Sequence, residues 1–229
     1  MLFRVGLAIV ASVWLLACGS TVDAGQQLKD AAAAMKTIQT VQLDLKFGAG
    51  ATVTASNVTV DLVSATGKVK LPTDSELVGR VKQGDTIIES RIVTIGNDTY
   101  YKPISFLPAS KLSPEEAKQY PSAVRLLNPD TGLPSVIDKG QGAKVTGTES
   151  IDGQDSNKVE ATYTPEDLKA ALAPFTPADK VQVTFWIGKD DHRVRKALIT
   201  GHVFSANSDS TIEVHLHDFN AAVDISPPA

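Results

Sequence analysis

Apolar and polar residues alternate without interruption along Val41-Gln42-Leu43-Asp44-Leu45-Lys46-Phe47, and this segment gives the clearest indication of the fold. Successive side chains of a β-strand point to opposite faces, so this stretch has one apolar face and one wet face. The same alternation returns in two later segments, at Val58, Val60 and Leu62 and around Val69 and Leu71. The pattern predicts three early strands, with Gly67 among the turn residues that separate them.

Further strand-like segments follow along the chain. Turn residues at 83–85 and 96–98 separate the segments 77–82, 86–95 and 99–102. Five more segments of strand composition lie at 144–150, 156–163, 180–188, 193–205 and 210–218. Because most of these segments are joined by short turns, we expect an antiparallel meander of about eight to eleven strands.

Helices are predicted in three places. Residues 26–40 carry Leu28, Ala32 and Met35 at helical spacing among charged residues, which indicates an amphipathic helix. Residues that cap two more helices stand at Ser113-Pro114-Glu115-Glu116 and at Thr164-Pro165-Glu166-Asp167. Helices grouped around one large antiparallel sheet make this an α+β protein. Such a sheet curls, and helices over its concave side enclose either a filled core or an apolar cavity.

The amino terminus has the order of a secretory signal. Arg4 precedes an apolar stretch from Val5 to Ala17, which is shorter than the roughly 20 residues that cross a bilayer. The stretch runs into Leu15-Leu16-Ala17-Cys18-Gly19, which resembles a lipobox and contains the only cysteine of the chain. We therefore expect residues 1–17 to be a lipoprotein signal peptide, Cys18 to carry the lipid, residues 18–25 to form a tether and residues 26–229 to form one domain.

Composition and motifs exclude several classes of function. The 229 residues include 22 Lys and Arg against 26 Asp and Glu, a formal charge of −4 with no basic run. The electrostatic footprint of a nucleic-acid-binding protein is therefore missing. The sequence also lacks a Gly-x-Ser-x-Gly elbow, a phosphate-binding glycine loop and a His-Glu-x-x-His motif. We expect no enzyme and no cofactor; an esterase or lipase is the enzymatic alternative.

Two histidines near the carboxyl terminus have the spacing of possible metal ligands. His215 and His217 share a strand face with Glu213, but the sequence identifies no third ligand. The intervening residues Val214 and Leu216 are apolar, which assigns the histidines to the outer face of the sheet. This pattern favours a solvated surface without a metal.

Several elements follow one another in the order of a known family. They are the lipobox at Cys18, the helix and strand at 28–43, the turn Leu127-Asn128-Pro129-Asp130-Thr131-Gly132-Leu133, residues 147–154, residues 185–187 with Asp191 and His192, and residues 215–220. Together they resemble the LppX/LprA/LprF/LprG lipoproteins of mycobacteria and their relatives. The resemblance implies a large curved antiparallel sheet, a LolA/LolB-like half-barrel, with helices over its concave side and a hydrophobic cavity for acyl chains.

The function that the resemblance implies is lipid carriage. We expect a monomer, lipid-anchored on the extracytoplasmic side of the cell membrane, that binds an acylated lipid or glycolipid and transfers it within the envelope, with a membrane transporter as a candidate partner. The cavity candidates share an apolar strand face and are Val41, Leu43, Leu45, Val58, Val60, Leu62, Val69, Leu71, Ile92, Val183 and Phe185. The alternative is a surface lipoprotein with a filled core that binds other molecules without catalysis.

Overall fold

The computed structural model describes residues 23–55 and 58–228. The predicted signal peptide, Cys18 and most of the predicted tether lie outside the described residues, and so does the side chain of Val58. Four α-helices are described, α1 (Ala24–Met35), α2 (Pro114–Ala117), α3 (Ala123–Leu127) and α4 (Pro165–Leu172), together with two 3-10 turns at Leu133–Ser135 and Ile137–Lys139.

One antiparallel sheet contains every strand of the described residues. In chain order the strands are β1 (Thr40–Phe47), β2 (Thr52–Ala55), β3 (Val58–Lys70), β4 (Asp74–Gln83), β5 (Thr86–Ile95), β6 (Asp98–Lys102), β7 (Ser110–Leu112), β8 (Gln141–Ile151), β9 (Gln154–Tyr163), β10 (Val181–Gly188), β11 (Val194–Gly201) and β12 (Ser210–His217). The predicted α+β fold with a large curved antiparallel sheet is thereby confirmed.

The order of the strands divides the sheet into two series of hairpins. Neighbours run β7-β6-β5-β4-β3-β1-β12-β11-β10-β9-β8, and β2 pairs with β3 beside this path. The first strand therefore pairs with the last one, with Gln42 opposite His217 and Leu45 opposite Val214. This seam between β1 and β12 lies in the middle of the sheet.

Strand β3 joins two of the three predicted early strands, and this corrects the turn predicted at Gly67. It is a continuous strand of 13 residues, so Gly67 lies inside a strand and not in a turn. A Cβ atom at Gly67 would lie 3.2 Å from Leu43 Cγ and 3.3 Å from Leu77 Cδ1. The same Cβ atom would lie 3.1 Å from the backbone oxygen of Glu76, so a larger residue fits here only if its neighbours shift by a few tenths of an ångström. The register of β3 against β4 also shifts between Leu62 and Ser64, which is a β-bulge.

Side chains that cap the first turn fix where three of the helices begin. Helix α1 begins at Ala24, earlier than predicted, because the Asp23 side chain accepts a hydrogen bond from the Gln26 amide, and it ends at Met35. The predicted capping boxes are present in α2 and α4, where Ser113 and Thr164 each bond the third residue of the helix. Helix α1 packs on the 3-10 turns and on β8 and β9, whereas α3 packs on β3, β4 and α4.

The core lies on the face of the sheet that these helices cover. The outer face of the central strands carries charged and polar side chains, because positions alternate along β1 and β12. Among the described residues, no helix combines the length and the apolar character that a membrane crossing requires.

Candidate functional site

A pocket of about 880 Å³ lies between the sheet and the helices α3 and α4. Its floor consists of residues from seven strands, and they are Leu43, Leu45 and Phe47 of β1, Leu62, Ser64 and Ala65 of β3, Leu77, Gly79 and Val81 of β4, Ser90 and Ile92 of β5, Val183 and Phe185 of β10, Ala197 and Ile199 of β11, and Ile212 and Val214 of β12. We call this space the apolar pocket.

The roof of the apolar pocket comes from short helices and loops. Helix α4 contributes Leu168, Ala171 and Leu172, whose spacing places them on one side of a helix. Helix α3 contributes Ala123 and Leu126, and the segments 119–122 and 173–176 complete the roof. The chain between β6 and α3 thus forms part of the wall.

Aromatic side chains pack at one side of the pocket. The ring of Phe204 lies 4.9 Å from that of Phe175 and 6.0 Å from that of Phe47, both in edge-to-face geometry. All three residues line the pocket. Edge-to-face pairs of this kind add to the stability of an apolar wall and hold it in shape.

The wall of the pocket carries very little charge. Among the described residues that line it, Arg80 is the only one with a formal charge, and its side chain is exposed. The hydroxyl of Tyr163, which also lines the pocket, donates a hydrogen bond of 2.6 Å to the carbonyl of Ile137. Burial raises the pKa of this hydroxyl far above its ordinary range, so it stays protonated and neutral.

Exposed lining residues mark where the pocket opens to solvent. They are Thr54, Arg80, Gln119, Pro174 and Thr176. Polar groups therefore gather at the rim, whereas Leu43, Val183 and Phe185 at the floor are buried. Ligand pockets of proteins measure roughly 300–1,000 Å³ and combine apolar walls with a few polar groups, and this pocket has both properties.

Ten of the eleven predicted cavity residues can be placed, since the side chain of Val58 lies outside the described residues. Leu43, Leu45, Leu62, Ile92, Val183 and Phe185 line the pocket. Val41, Val60, Val69 and Leu71 are outside its lining. Val41 and Val69 pair in register and are fully buried, so the core is filled at their end of the sheet. Leu71 lies beyond the end of β3, and Val60 is half-buried near its start.

Other lining residues were not identified from the sequence. Ile199, Ile212 and Val214 lie in strands whose apolar and polar residues alternate, and this period of two could have identified them as residues of the apolar face. The spacing of Leu168, Ala171 and Leu172 is a helical signal of the same kind. The loop residues 119–122 and 173–176 have no such signal, because their position depends on how the roof folds back over the sheet.

Comparisons with known proteins give the family. The sequence profile of the LppX_LprAFG lipoprotein family matches residues 23–225. The lipoarabinomannan carrier protein LprG of Mycobacteroides abscessus is 26% identical over 238 residues, covering 99% of this chain and 98% of the relative. LprG of Mycobacterium tuberculosis H37Rv is 22% identical over 222 residues, which cover 92% of this chain and 84% of the relative.

Solved structures share the fold. The crystal structure of LprF from Mycobacterium bovis has a TM-score of 0.69 and 18% identity, covering 90% of this chain and 97% of LprF. The crystal structure of LppX from Mycobacterium tuberculosis has a TM-score of 0.60 and 18% identity, covering 88% of this chain and 97% of LppX. Since the curated relatives are carrier proteins, the prediction of a non-enzymatic protein is confirmed. The match of the family profile over most of the chain shows that this protein belongs to the LppX_LprAFG lipoprotein family.

Proposed function

We propose that this protein binds an acylated lipid or glycolipid, with the acyl chains in the apolar pocket, and carries it within the cell envelope. The observation that carries the proposal is a pocket of about 880 Å³ in which Arg80 alone, among the described lining residues, has a charge. Removal of acyl methylenes from water drives binding to such a wall, and it needs no specific polar constellation.

The energetics of this mode of binding are favourable. Each methylene removed from water contributes roughly 0.8 kcal/mol, so an acyl chain of about 16 carbons gains on the order of 12 kcal/mol. The loss of translational, rotational and internal freedom offsets part of this gain. A single chain already gives useful affinity, and a second chain would hold the lipid long enough for carriage.

The polar end of the ligand is expected at the rim. Thr54, Gln119 and Thr176 lie there and supply several hydrogen-bonding groups, and the exposed Arg80 of β4 borders the same pocket. An anionic or sugar headgroup can stay hydrated at this opening while its acyl chains enter. The similarity to LprG, which is named a lipoarabinomannan carrier protein, supports an acylated glycolipid as the ligand class.

Anchoring completes the proposal. Cys18, if acylated after cleavage of residues 1–17, would hold the protein on the extracytoplasmic side of the cell membrane, where a monomer could receive lipid from a membrane transporter. In that case only residues 19–22 would separate the lipid-bearing cysteine from Asp23, the first described residue. The alternative of a non-catalytic surface module with a filled core is less consistent with the pocket.

Two tryptophan variants test the pocket. Leu45 lies on the floor between Ala65 and Val214, both lining residues, whereas Val60 was predicted on the same face but lies outside the lining. We expect Leu45→Trp to lower the amount of co-purifying lipid at least fivefold by filling the space for acyl chains. Native mass spectrometry of chains with Cys18→Ala, exported in a mycobacterial host, measures this occupancy.

A control variant and a stability measurement distinguish an open lipid pocket from a filled core. Val60→Trp should keep its lipid. If Leu45 faces open space, the larger side chain of Leu45→Trp fits, and its free energy of unfolding in urea should lie within about 1 kcal/mol of the parent chain. In a filled core the same substitution would overpack the interior and cost about 1–3 kcal/mol. A parent chain that is free of lipid when gently extracted, or a Leu45→Trp chain that keeps its lipid, would contradict carriage in this pocket.

A further inference from the structure

A cluster of two imidazoles and a carboxylate lies on the outer face of the sheet, away from the apolar pocket. Asp44 of β1 stands directly opposite His215 of β12 in the strand register, and His217 follows two residues later on the same face. The three side chains are half-buried or partly exposed, at 43% for Asp44, 30% for His215 and 28% for His217. Strand pairing thus brings together the third ligand that the sequence did not reveal.

The potential ligand atoms converge on a common point. Asp44 Oδ2 lies 3.4 Å from His217 Nε2 and 3.9 Å from His215 Nδ1, and one donor atom from each residue lies within 4.8 Å of the other two. Ligands on a tetrahedral Zn²⁺ at about 2.0–2.1 Å are about 3.3 Å apart. The first distance already fits, and small side-chain rotations bring the others to it.

Each imidazole is held by a carboxylate on its other nitrogen. His215 Nε2 lies 2.7 Å from Asp152 Oδ2, and His217 Nδ1 lies 3.0 Å from Asp218 Oδ2. Gln42 donates a further hydrogen bond of 2.9 Å to the same Asp218 oxygen. When the outer nitrogens donate to these carboxylates, the nitrogens that face Asp44 carry lone pairs. Metal-binding histidines are oriented by carboxylates in this manner.

Carboxylates outnumber ammonium groups beside the cluster. Asp44, Asp152 and Asp218 are three carboxylates around two imidazoles. Lys46 and Lys196 line the same shallow pocket of about 270 Å³ as Asp44, Asp152 and His215, and Lys196 stands opposite His215 in the strand register. Both ammonium groups are paired with Glu213, since Lys196 Nζ and Lys46 Nζ lie 3.0 Å and 3.7 Å from its carboxylate. The pocket gives solvent access to the cluster.

We propose that Asp44, His215 and His217 form a zinc site, with water as the fourth ligand and with Asp152 and Asp218 as positioning residues. Imidazole and carboxylate ligands suit Zn²⁺. The site joins β1 to β12 across the seam of the sheet and draws in the β8–β9 turn through Asp152. Bound zinc therefore links the first and last strands of the sheet, independently of any ligand in the apolar pocket.

Zinc binding to the full chain tests the proposal. The protein is purified in a non-ionic detergent, stripped with a chelator and titrated with ZnCl₂ in a calorimeter. We expect one equivalent to bind with a Kd of about 1 µM or lower and to raise the Tm, because zinc binds the folded state. Asp44→Asn, His215→Ala and His217→Ala should each weaken binding at least tenfold, and Asp152→Asn should weaken it about tenfold.

His202 provides the matched control. It lies 3.0 Å from Asp179 and 3.6 Å from Asp209, but it is not part of the cluster. His202→Gln should leave zinc affinity unchanged. If the cluster variants bind zinc as tightly as the parent chain, or if His202→Gln causes the same loss, the proposal is wrong.

Cobalt gives a readout that does not depend on variant folding. Co²⁺ in the parent chain should show the visible absorption of a tetrahedral site, without the near-ultraviolet band of a thiolate ligand. A thiolate band would assign the metal to Cys18, the only cysteine, and would overturn the site. Less than one equivalent of zinc bound at 100 µM would do the same.

Discussion

Tyr163 shows how one residue can serve both the pocket and the fold. Its ring lines the pocket and packs edge-to-face on Phe185 at 6.1 Å. Its hydroxyl donates to the Ile137 carbonyl at 2.6 Å, and Ile137 belongs to the second 3-10 turn, against which α1 packs. The residue therefore ties the floor of the pocket to the segment below α1.

Tyr163→Phe removes only the hydroxyl from this arrangement. It leaves the buried Ile137 carbonyl without its donor, and an unsatisfied buried group costs about 1–3 kcal/mol. We expect the free energy of unfolding in urea to fall by this amount, with lipid occupancy retained. Tyr100→Phe, at a half-buried position of β6 outside the lining, should change stability less. Equal losses in both variants would contradict the role of the Ile137 bond.

At the scale of elements, α4 depends on its first turn. Thr164 accepts a hydrogen bond of 3.3 Å from the Asp167 amide, and Asp167 accepts one of 3.1 Å from the Thr164 amide. The Thr164 hydroxyl also donates to the Asp167 carboxylate, and this hydrogen bond is the main reason that the pKa of Asp167 is lowered. Since Leu168 and Leu172 line the pocket, the cap also places part of its roof.

The lowered pKa of Asp167 makes this cap sensitive to acid. A carboxylate with a folded pKa below its unfolded value of about 3.9 stabilises the fold above that value, and the contribution is lost as the pH falls through the folded pKa. Between pH 5 and pH 2.5, we expect the parent chain to lose a few tenths to about 1 kcal/mol more stability than Asp167→Asn, which does not titrate. Urea unfolding at both pH values measures the difference, and parallel losses would show that Asp167 does not contribute.

The strands were the most predictable part of the structure, and β3 shows that contacts between strands could not be predicted. Alternation predicts that Leu43, Leu45 and Leu62 share one sheet face, because a period of two follows from strand geometry alone, and all three residues line the pocket. Gly67 was misread as a turn, since its role depends on Leu43 and Leu77 of other strands. Similarly, Asp44 became a partner of His215 only through the pairing of β1 with β12.

For the whole molecule, the outline of the fold followed from the sequence, whereas the extent of the pocket did not. The alternating strands and the capping boxes predicted a covered antiparallel sheet. Whether Val41 or Leu45 faces open space depends on which end of the sheet the helices fill, and no local pattern encodes this. The roof segments 119–122 and 173–176 were unpredictable for the same reason.

The predicted lipid on Cys18 would determine where the whole molecule is held. Two or three acyl chains on Cys18 would hold the protein stably on a membrane, since each buried methylene contributes roughly 0.8 kcal/mol. We expect Cys18→Ala to move most of the exported protein from the membrane fraction to the soluble fraction and to abolish labelling with palmitate. Immunoblots of separated fractions measure the shift, and unchanged membrane association would remove Cys18 as the anchor.

The pairing of β1 with β12 also governs when this protein can reach its final form. Residues 42 and 217 are neighbours in the sheet although about three quarters of the chain lies between them. Synthesis proceeds from the amino terminus, so the two hairpin series cannot close against each other until the last strand has been made. The nascent chain consequently stays incomplete until synthesis is almost over, and the apolar pocket, whose floor includes residues of β1 and β12, is finished last.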